Sequence, residues 1–176
     1  MAIYTLTEVA DIAGMPRSLL KNWTIGRTSL RIVASERRTT GKGSPNLYSL
    51  KDIYIVGLAF SLSKVGLALE HVQKVIQHVH AKLPKKSGSV DLRELAWLVI
   101  ELNSKDGSDI EFNIEMFEIG REVQRTLLDP RDFQGKGHVL VKYLVNVMSL
   151  TDEIRCKAAA FYRAKYPDED EEVEDD

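Results

Sequence analysis

Hydrophobic and polar positions near the start of the chain repeat with helical spacing in two short stretches, with a break at Gly14 and Pro16. Thr5 and Glu8 have the T-x-x-E spacing of a capping box, so a first helix is predicted from residue 6 or 7 to residue 13. Gly14 is the residue type that ends helices in a left-handed conformation. Pro16 suits the first turn of a second helix, predicted over residues 16–23.

The second predicted helix has two distinct faces. Its inward face holds Met15, Leu19, Leu20 and Trp23. Its outward face holds Arg17, Ser18, Lys21 and Asn22. The same periodicity is compatible with two core helices joined by a turn. It also forms the helix-turn-helix pattern, in which the second helix enters a major groove of DNA.

Residues 27–49 predict a β-hairpin with a long basic tip. Strand-like residues stand at both ends of the segment, namely Leu30, Ile32 and Val33 first and Leu47 and Tyr48 last. Between them the sequence is rich in Arg, Lys, Thr, Gly and Ser, the composition of a loop. A basic hairpin directly after a helix-turn-helix predicts the wing of a winged-helix module.

Helical periodicity resumes after the wing. Ser49 is the predicted N-cap, and Asp52 falls in the first turn, where a carboxylate favours the helix N-terminus. Gly66 separates this helix from another, whose apolar stripe runs from Leu69 to Leu83. The PKKSGS segment over residues 84–89 has the composition of a linker and marks a predicted domain boundary.

The second half of the chain mixes strand and helix patterns. Two apolar stretches around residues 105–108 predict a β-hairpin, and residues 116–128 predict a helix. The HVLVKYLVNV segment is a buried strand or the start of a helix, and its β-branched residues favour a strand. A helix is predicted from Leu150 to Tyr166. The last nine residues contain eight carboxylates and predict a disordered, solvated tail.

The predicted fold is therefore mainly α with an α+β second module. The domains are a winged helix-turn-helix domain over residues 1–83, the linker 84–89, a small C-terminal α+β domain over residues 90–166 for oligomerisation or partner contact, and the acidic tail 167–176. No 18-residue apolar run and no signal-peptide pattern is present in the sequence. A cytoplasmic protein that does not enter a membrane is expected.

Charge is divided along the chain. Residues up to Lys86 carry 13 Lys and Arg against 5 Asp and Glu, a net +8, and the remainder carries 11 against 21, a net −10. Lysine and arginine placed against a phosphate backbone release condensed counterions. The basic half therefore favours nucleic acid as a partner.

Four motifs of the basic half resemble the DNA-binding domain of the MerR family of transcriptional regulators. Residues 8–15, EVADIAGM, are similar to the family's first helix, and residues 19–23, LLKNW, to its recognition helix. Residues 47–53, LYSLKDI, match the segment after the wing. The family's next helix pair is matched by Leu62, Gly66, Leu69, Glu70 and Val72. The order and spacing of these motifs cover residues 5 to about 80.

This resemblance implies a sequence-specific DNA-binding transcriptional regulator. Its recognition helix would lie in the major groove, and its wing would lie on the phosphate backbone. The candidate DNA contacts are Arg17, Ser18, Lys21, Asn22, Arg27, Arg37, Arg38, Lys42 and Tyr48. Double-stranded DNA is the implied partner and a homodimer the implied assembly. The sequence does not indicate a small-molecule effector.

Catalytic and metal chemistry is not predicted. Cys156 is the single cysteine, and His71 and His78 share a helix face but lie two turns apart, too far for a common ligand sphere. His80 and His138 do not complete such a set. The two GKG segments lack the strand and helix context of a phosphate-binding loop. No metal, cofactor or enzyme activity is expected.

Two alternatives remain open at this stage. One is an accessory DNA-binding factor of a mobile element, similar to an excisionase or a packaging protein, in which DNA bending matters more than promoter control. The other is a protein-interaction adaptor that kept the winged fold and lost DNA binding. The adaptor is motivated by the acidic tail and by Ile55, Phe60 and Ser61, which replace arginines common in the family.

Overall fold

The computed structural model describes residues 3–34, 36–37, 46–82, 85–86, 89–90, 95–104, 110–118 and 138–167. The helices of these ranges are α1 (Leu6–Ala13), α2 (Arg17–Thr24), α3 (Leu50–Lys64), α4 (Leu69–Lys82) and α5 (Val147–Lys165). The strands are β1 (Glu36–Arg37), β2 (Asn46–Leu47), β3 (Lys85–Lys86), β4 (Ser89–Val90), β5 (Leu95–Ser104), β6 (Ile110–Glu118) and β7 (His138–Asn146). The described part is thus mainly helical with small antiparallel sheets.

The capping signals predicted from the sequence are found at the ends of the two helices of the helix-turn-helix. Thr5 and Glu8 form the predicted capping box, because the Thr5 hydroxyl accepts from the Glu8 N–H and the Glu8 carboxylate accepts from the Thr5 N–H. Gly14 ends α1 with φ +65°, a left-handed conformation that favours glycine. Pro16 is the N-cap residue of α2, so α2 starts one residue later than predicted. Both predicted helices are confirmed.

The base of the predicted wing is a short antiparallel pair. Glu36 pairs with Leu47 and Arg37 with Asn46. The first strand is shorter than predicted, because the backbone N–H groups of residues 31 and 32 donate to helices instead of to a partner strand. The Ile32 N–H donates to the Trp23 carbonyl at 3.2 Å, and the Arg31 N–H donates to the Gln73 side chain in α4 at 2.7 Å. The predicted wing tip, residues 38–45, lies outside the described residues.

Helix α3 is buried on nearly every side. Ser49 and Asp52 cap it as predicted. Its residues from Asp52 to Ala59 are all buried, because α1 and α4 pack on it and α5 packs on a further face. Gly57 permits the close approach of α5: a Cβ at this position would collide with the Ile154 side chain.

The second half contains a three-stranded antiparallel sheet in the order β6-β5-β7. The hairpin predicted around residues 105–108 is confirmed, with Ser104 opposite Ile110, and the segment favoured as a strand is β7. The helix predicted from residue 116 is wrong over residues 116–118. These residues extend β6, since Met116 pairs with Leu98 and continues the alternation of Ile110, Phe112 and Ile114. Residues 119–128 lie outside the described residues.

Helix α5 joins the two halves of the chain. It follows β7 directly, with the Asn146 side chain accepting from the Ser149 N–H at 2.9 Å as N-cap, and it confirms the predicted C-terminal helix. Ile154 and Ala158 lie in the same buried cluster as residues of α1, α3 and α4 and as Leu98 and Ile100 of β5. Within the predicted linker 84–89, Lys86 pairs with Ser89 in the β3–β4 ladder. Described residues on both sides of the predicted domain boundary at 84–89 therefore pack in one buried cluster.

Candidate nucleic-acid interface

Helix α2 is anchored by one face and exposed on the other. Leu20 and Trp23 are fully buried, and Met15 just before the helix is also buried. Arg17, Ser18 and Lys21 are exposed, and Asn22 is half-buried. Except for Leu19 and Asn22, which are both half-buried, this is the division that the sequence periodicity predicts. A short helix fixed by a tryptophan and a leucine can present three adjacent polar side chains to a ligand without losing its position.

Arg17 at the start of α2 is paired with Asp11 of α1. Its guanidinium lies 3.1 Å from the Asp11 carboxylate, and both side chains are about half exposed. An ion pair this open to solvent contributes at most about 1 kcal/mol, because water screens both charges. A phosphate or a guanine edge can therefore replace Asp11 as the partner of Arg17.

Two more polar residues, Thr24 and Arg27, are hydrogen-bonded to the backbone of α2. The Thr24 hydroxyl donates to the Lys21 carbonyl at 2.9 Å, and the Arg27 N–H donates to the Asn22 carbonyl at 3.0 Å. Gly26 turns the chain with φ +70°. The backbone at Arg27 is thus fixed against α2, and its side chain is exposed.

Arg31 is an exposed cation outside the set predicted from the sequence. Its neighbours Leu30 and Ile32 are buried, so alternation along the chain directs Arg31 outward. The alternation of Leu30 and Ile32 in the sequence is the signal that could have identified Arg31 as exposed. Of the predicted wing contacts, Arg37 lies in β1 opposite Asn46. Arg38 and Lys42 lie outside the described residues.

Tyr48 does not lie on the exposed face. Its side chain is fully buried, and its backbone forms an antiparallel bridge with Tyr4 through hydrogen bonds of 2.8 and 2.9 Å. Burial raises the pKa of the phenol above its ordinary value. The structure thus assigns Tyr48 to the core, where it holds the end of the wing against the start of the chain, and not to the DNA contacts predicted from the sequence.

The third helix has apolar residues at two positions, Ile55 and Phe60, where the MerR family that the sequence resembles commonly has arginine. Ile55 is buried and, with Ile32 and Ile76, forms the apolar floor of a groove of about 490 Å³ between residues 31–33 and α4. Phe60 is half-buried, with its ring 5.5 Å from the Lys64 ammonium. Neither position therefore supplies a cation to the candidate interface.

A charged contact links the first turn of α1 to the end of α5. The Glu8 carboxylate accepts from the Thr5 N–H at 2.7 Å and from the Lys165 ammonium at 2.6 Å. Partial burial alone would raise the pKa of Glu8, but the hydrogen bonds from Lys165 and Thr5 and the Lys165 charge outweigh it and lower the pKa. The reciprocal contact raises the pKa of Lys165.

The described residues do not form a metal centre or a membrane span. In those ranges, no three His, Cys, Asp or Glu side chains are grouped as metal ligands would be. None of the helices described is long and apolar enough to cross a membrane.

Three mycobacterial proteins are similar to this chain. Each is named uncharacterized HTH-type transcriptional regulator; one is from Mycobacterium bovis, and two are from strains of Mycobacterium tuberculosis. The chain is 29% identical to each over 103 residues, which is 58% of this chain and 44% of the relative. The match therefore spans less than half the length of these relatives. No protein-family model matches the chain. The similarity supports the class of helix-turn-helix regulators.

Proposed function

We propose that this protein is a sequence-specific DNA-binding transcriptional regulator with a MerR-like winged helix-turn-helix. The observation that carries the proposal is the two-sided α2, with Leu20 and Trp23 buried and Arg17, Ser18 and Lys21 exposed. The antiparallel wing base that follows, the basic first half and the names of the mycobacterial relatives support it.

In this proposal α2 lies in the major groove. Arg17 and Lys21 contact guanine edges or phosphate oxygens, and Asn22 pairs with adenine where its half-buried amide reaches a base. Four cations outside α2, namely Arg27, Arg37, Arg38 and Lys42, hold the phosphate backbone. We add Arg31 to this group because it is exposed at the base of the wing.

A homodimer is the assembly proposed for this function. Two copies related by a two-fold axis would contact two half-sites about one helical turn apart, about 34–36 Å on the DNA. A palindromic footprint would be the signature of this arrangement. A single asymmetric footprint would instead indicate a monomer.

The test is salt-dependent binding to DNA fragments, beginning with DNA that flanks the protein's own gene. Arg17→Ala with Lys21→Ala is expected to weaken binding at least about tenfold. The slope of log affinity against log salt should fall by about one for each phosphate that is no longer neutralised. Lys64→Ala, at the end of α3, is the matched control. If no fragment binds and the double substitution changes nothing, the winged fold serves protein interaction instead.

A further inference from the structure

Two ion pairs connect the end of α5, through α1, to the outer face of α2. The Lys165 ammonium contacts Glu8 in the first turn of α1. One turn along the same helix, Asp11 pairs with Arg17 at the start of α2. Glu8 and Asp11 are separated by only about 4.5 Å of rise along the helix axis. The last turn of α5 is therefore close to the cations proposed to contact DNA.

The sequence that follows α5 is strongly acidic. Residues 168–176 contain eight carboxylates, and Asp168 follows Lys165 by three residues. Nine extended residues span up to about 30 Å. That length exceeds the sum of one helical turn of α1, about 5.4 Å, and the Arg17 side chain. Chain length therefore allows this segment to lie against α2.

We propose that the acidic segment 168–176 docks on the cationic outer face of α2, at Arg17 and Lys21, and competes with DNA for that face. Both side chains are exposed, and the segment supplies the opposite charge. Repulsion from Glu8 is reduced because Glu8 is paired with Lys165, and the segment takes the place of Asp11 as the partner of Arg17. The inference rests on the proposed function in one respect, that DNA is the competing ligand.

A tethered competitor acts more strongly on weak binding than on tight binding. A short tether gives an effective concentration in the mM range without any new folded contact. Non-specific DNA binding is almost entirely electrostatic, whereas specific binding adds base contacts that the acidic segment cannot replace. The segment would therefore suppress non-specific binding most, and salt would weaken the suppression because exposed charges are screened beyond about 10 Å at 0.1 M.

The first measurement compares the full chain with a full-length variant in which every Asp of residues 168–176 is changed to Asn and every Glu to Gln. The variant is expected to bind non-specific duplex DNA about tenfold more tightly at about 50 mM salt, with less than a twofold difference at about 300 mM. Equal affinities at both salt concentrations would overturn the proposal.

The second measurement detects the contact itself in the DNA-free protein. Carbodiimide joins a carboxylate to an amine only where the two touch, so mass spectrometry should find a link between residues 168–176 and Lys21. Lys21→Arg keeps the charge and should abolish that link, whereas Lys64→Arg should leave it. If the amide variant binds DNA more tightly but the full chain gives no Lys21 link, the acidic segment acts by long-range repulsion only. That result overturns docking.

The two proposals fail in different ways. If neither the full chain nor the amide variant binds any duplex, the proposed function fails, and the cross-link alone still decides whether the segment docks. If both bind equally and no link forms, the regulator proposal stands and the docking proposal fails.

Discussion

At the scale of single residues, Gly57 sets how closely α5 approaches α3. A Cβ added there would collide with the Cδ1 end of Ile154 and lie 3.5 Å from its Cγ1. Gly57→Ala gains about 1 kcal/mol of helix propensity and loses about 1–3 kcal/mol to overpacking, so a net loss of about 1 kcal/mol is expected. Ile154→Val removes Cδ1, the atom in the way, and should cost about 1 kcal/mol alone.

A double-mutant cycle measured by urea denaturation tests this contact. The double variant should be more stable than the sum of the two single losses, by at least about 0.5 kcal/mol, because the alanine methyl fills the space that Cδ1 leaves. Strict additivity would mean that α5 moves away instead of repacking.

Glu8 is the residue whose protonation should affect stability. Its folded pKa is lowered, so its contribution is present above the unfolded pKa and is lost as the pH falls through the folded pKa. Glu8→Gln should therefore destabilise the protein at pH 7 by about 1 kcal/mol, the size of a capping interaction. The difference from the wild type should shrink as the pH falls below about 4.3, the ordinary pKa of a glutamate, and disappear below the lowered folded pKa. Urea midpoints across this range measure it, and a difference that persists in acid would contradict the assignment.

At the scale of elements, the sequence predicts what local chemistry determines. The α1 and α3 capping boxes, Gly14 and the β5–β6 hairpin depend on residues close in sequence, and all are found in the structure. The helix predicted from residue 116 fails at its start because pairing with β5, a longer-range interaction, overrides local pattern. The first wing strand is short because Trp23 and Gln73 take the backbone donors of residues 31–32.

The outer face of α2 leads to a prediction for Asp11. Its carboxylate occupies Arg17 in the DNA-free protein. Asp11→Asn should leave the free energy of unfolding within about 1 kcal/mol, as for other exposed ion pairs. It should also tighten DNA binding several-fold at low salt, because Arg17 no longer has to leave the Asp11 carboxylate before it binds a phosphate.

Fluorescence anisotropy with labelled duplex at two salt concentrations measures the effect of Asp11→Asn. Asp152→Asn is the matched control, since Asp152 also lies 3.1 Å from an arginine, Arg155, on the exposed surface of α5. If both substitutions tighten binding equally, the gain comes from net charge alone and not from the release of Arg17.

At the scale of the whole molecule, the least predictable feature is that α5 packs on the helix-turn-helix. A signal was present, since α3 is apolar at almost every position from 53 to 60, as expected of a helix buried on all sides. In the candidate site, Arg17, Ser18 and Lys21 are exposed as their spacing predicts. The burial of Tyr48 was not predictable from local sequence because Tyr4, the residue that pairs with it, is distant in sequence.

The shared core predicts that the described halves unfold together. Each half carries one tryptophan, Trp23 in α2 and Trp97 in β5. Trp97→Phe leaves Trp23 as the fluorescence probe, and Trp23→Phe leaves Trp97. If α5 couples the halves, each probe should give the same urea midpoint as circular dichroism does for that variant, as a two-state transition requires.

Ile154→Ala extends this test because Ile154 belongs to α5 and is buried against α3. It should lower the free energy of unfolding by about 2–4 kcal/mol. In the Trp97→Phe background, the Trp23 midpoint should fall as far as the circular dichroism midpoint. If instead Trp23 keeps its original midpoint while the rest of the protein unfolds earlier, the winged unit is stable without α5. The acidic segment would then be tethered to the winged unit through a helix that can detach from it.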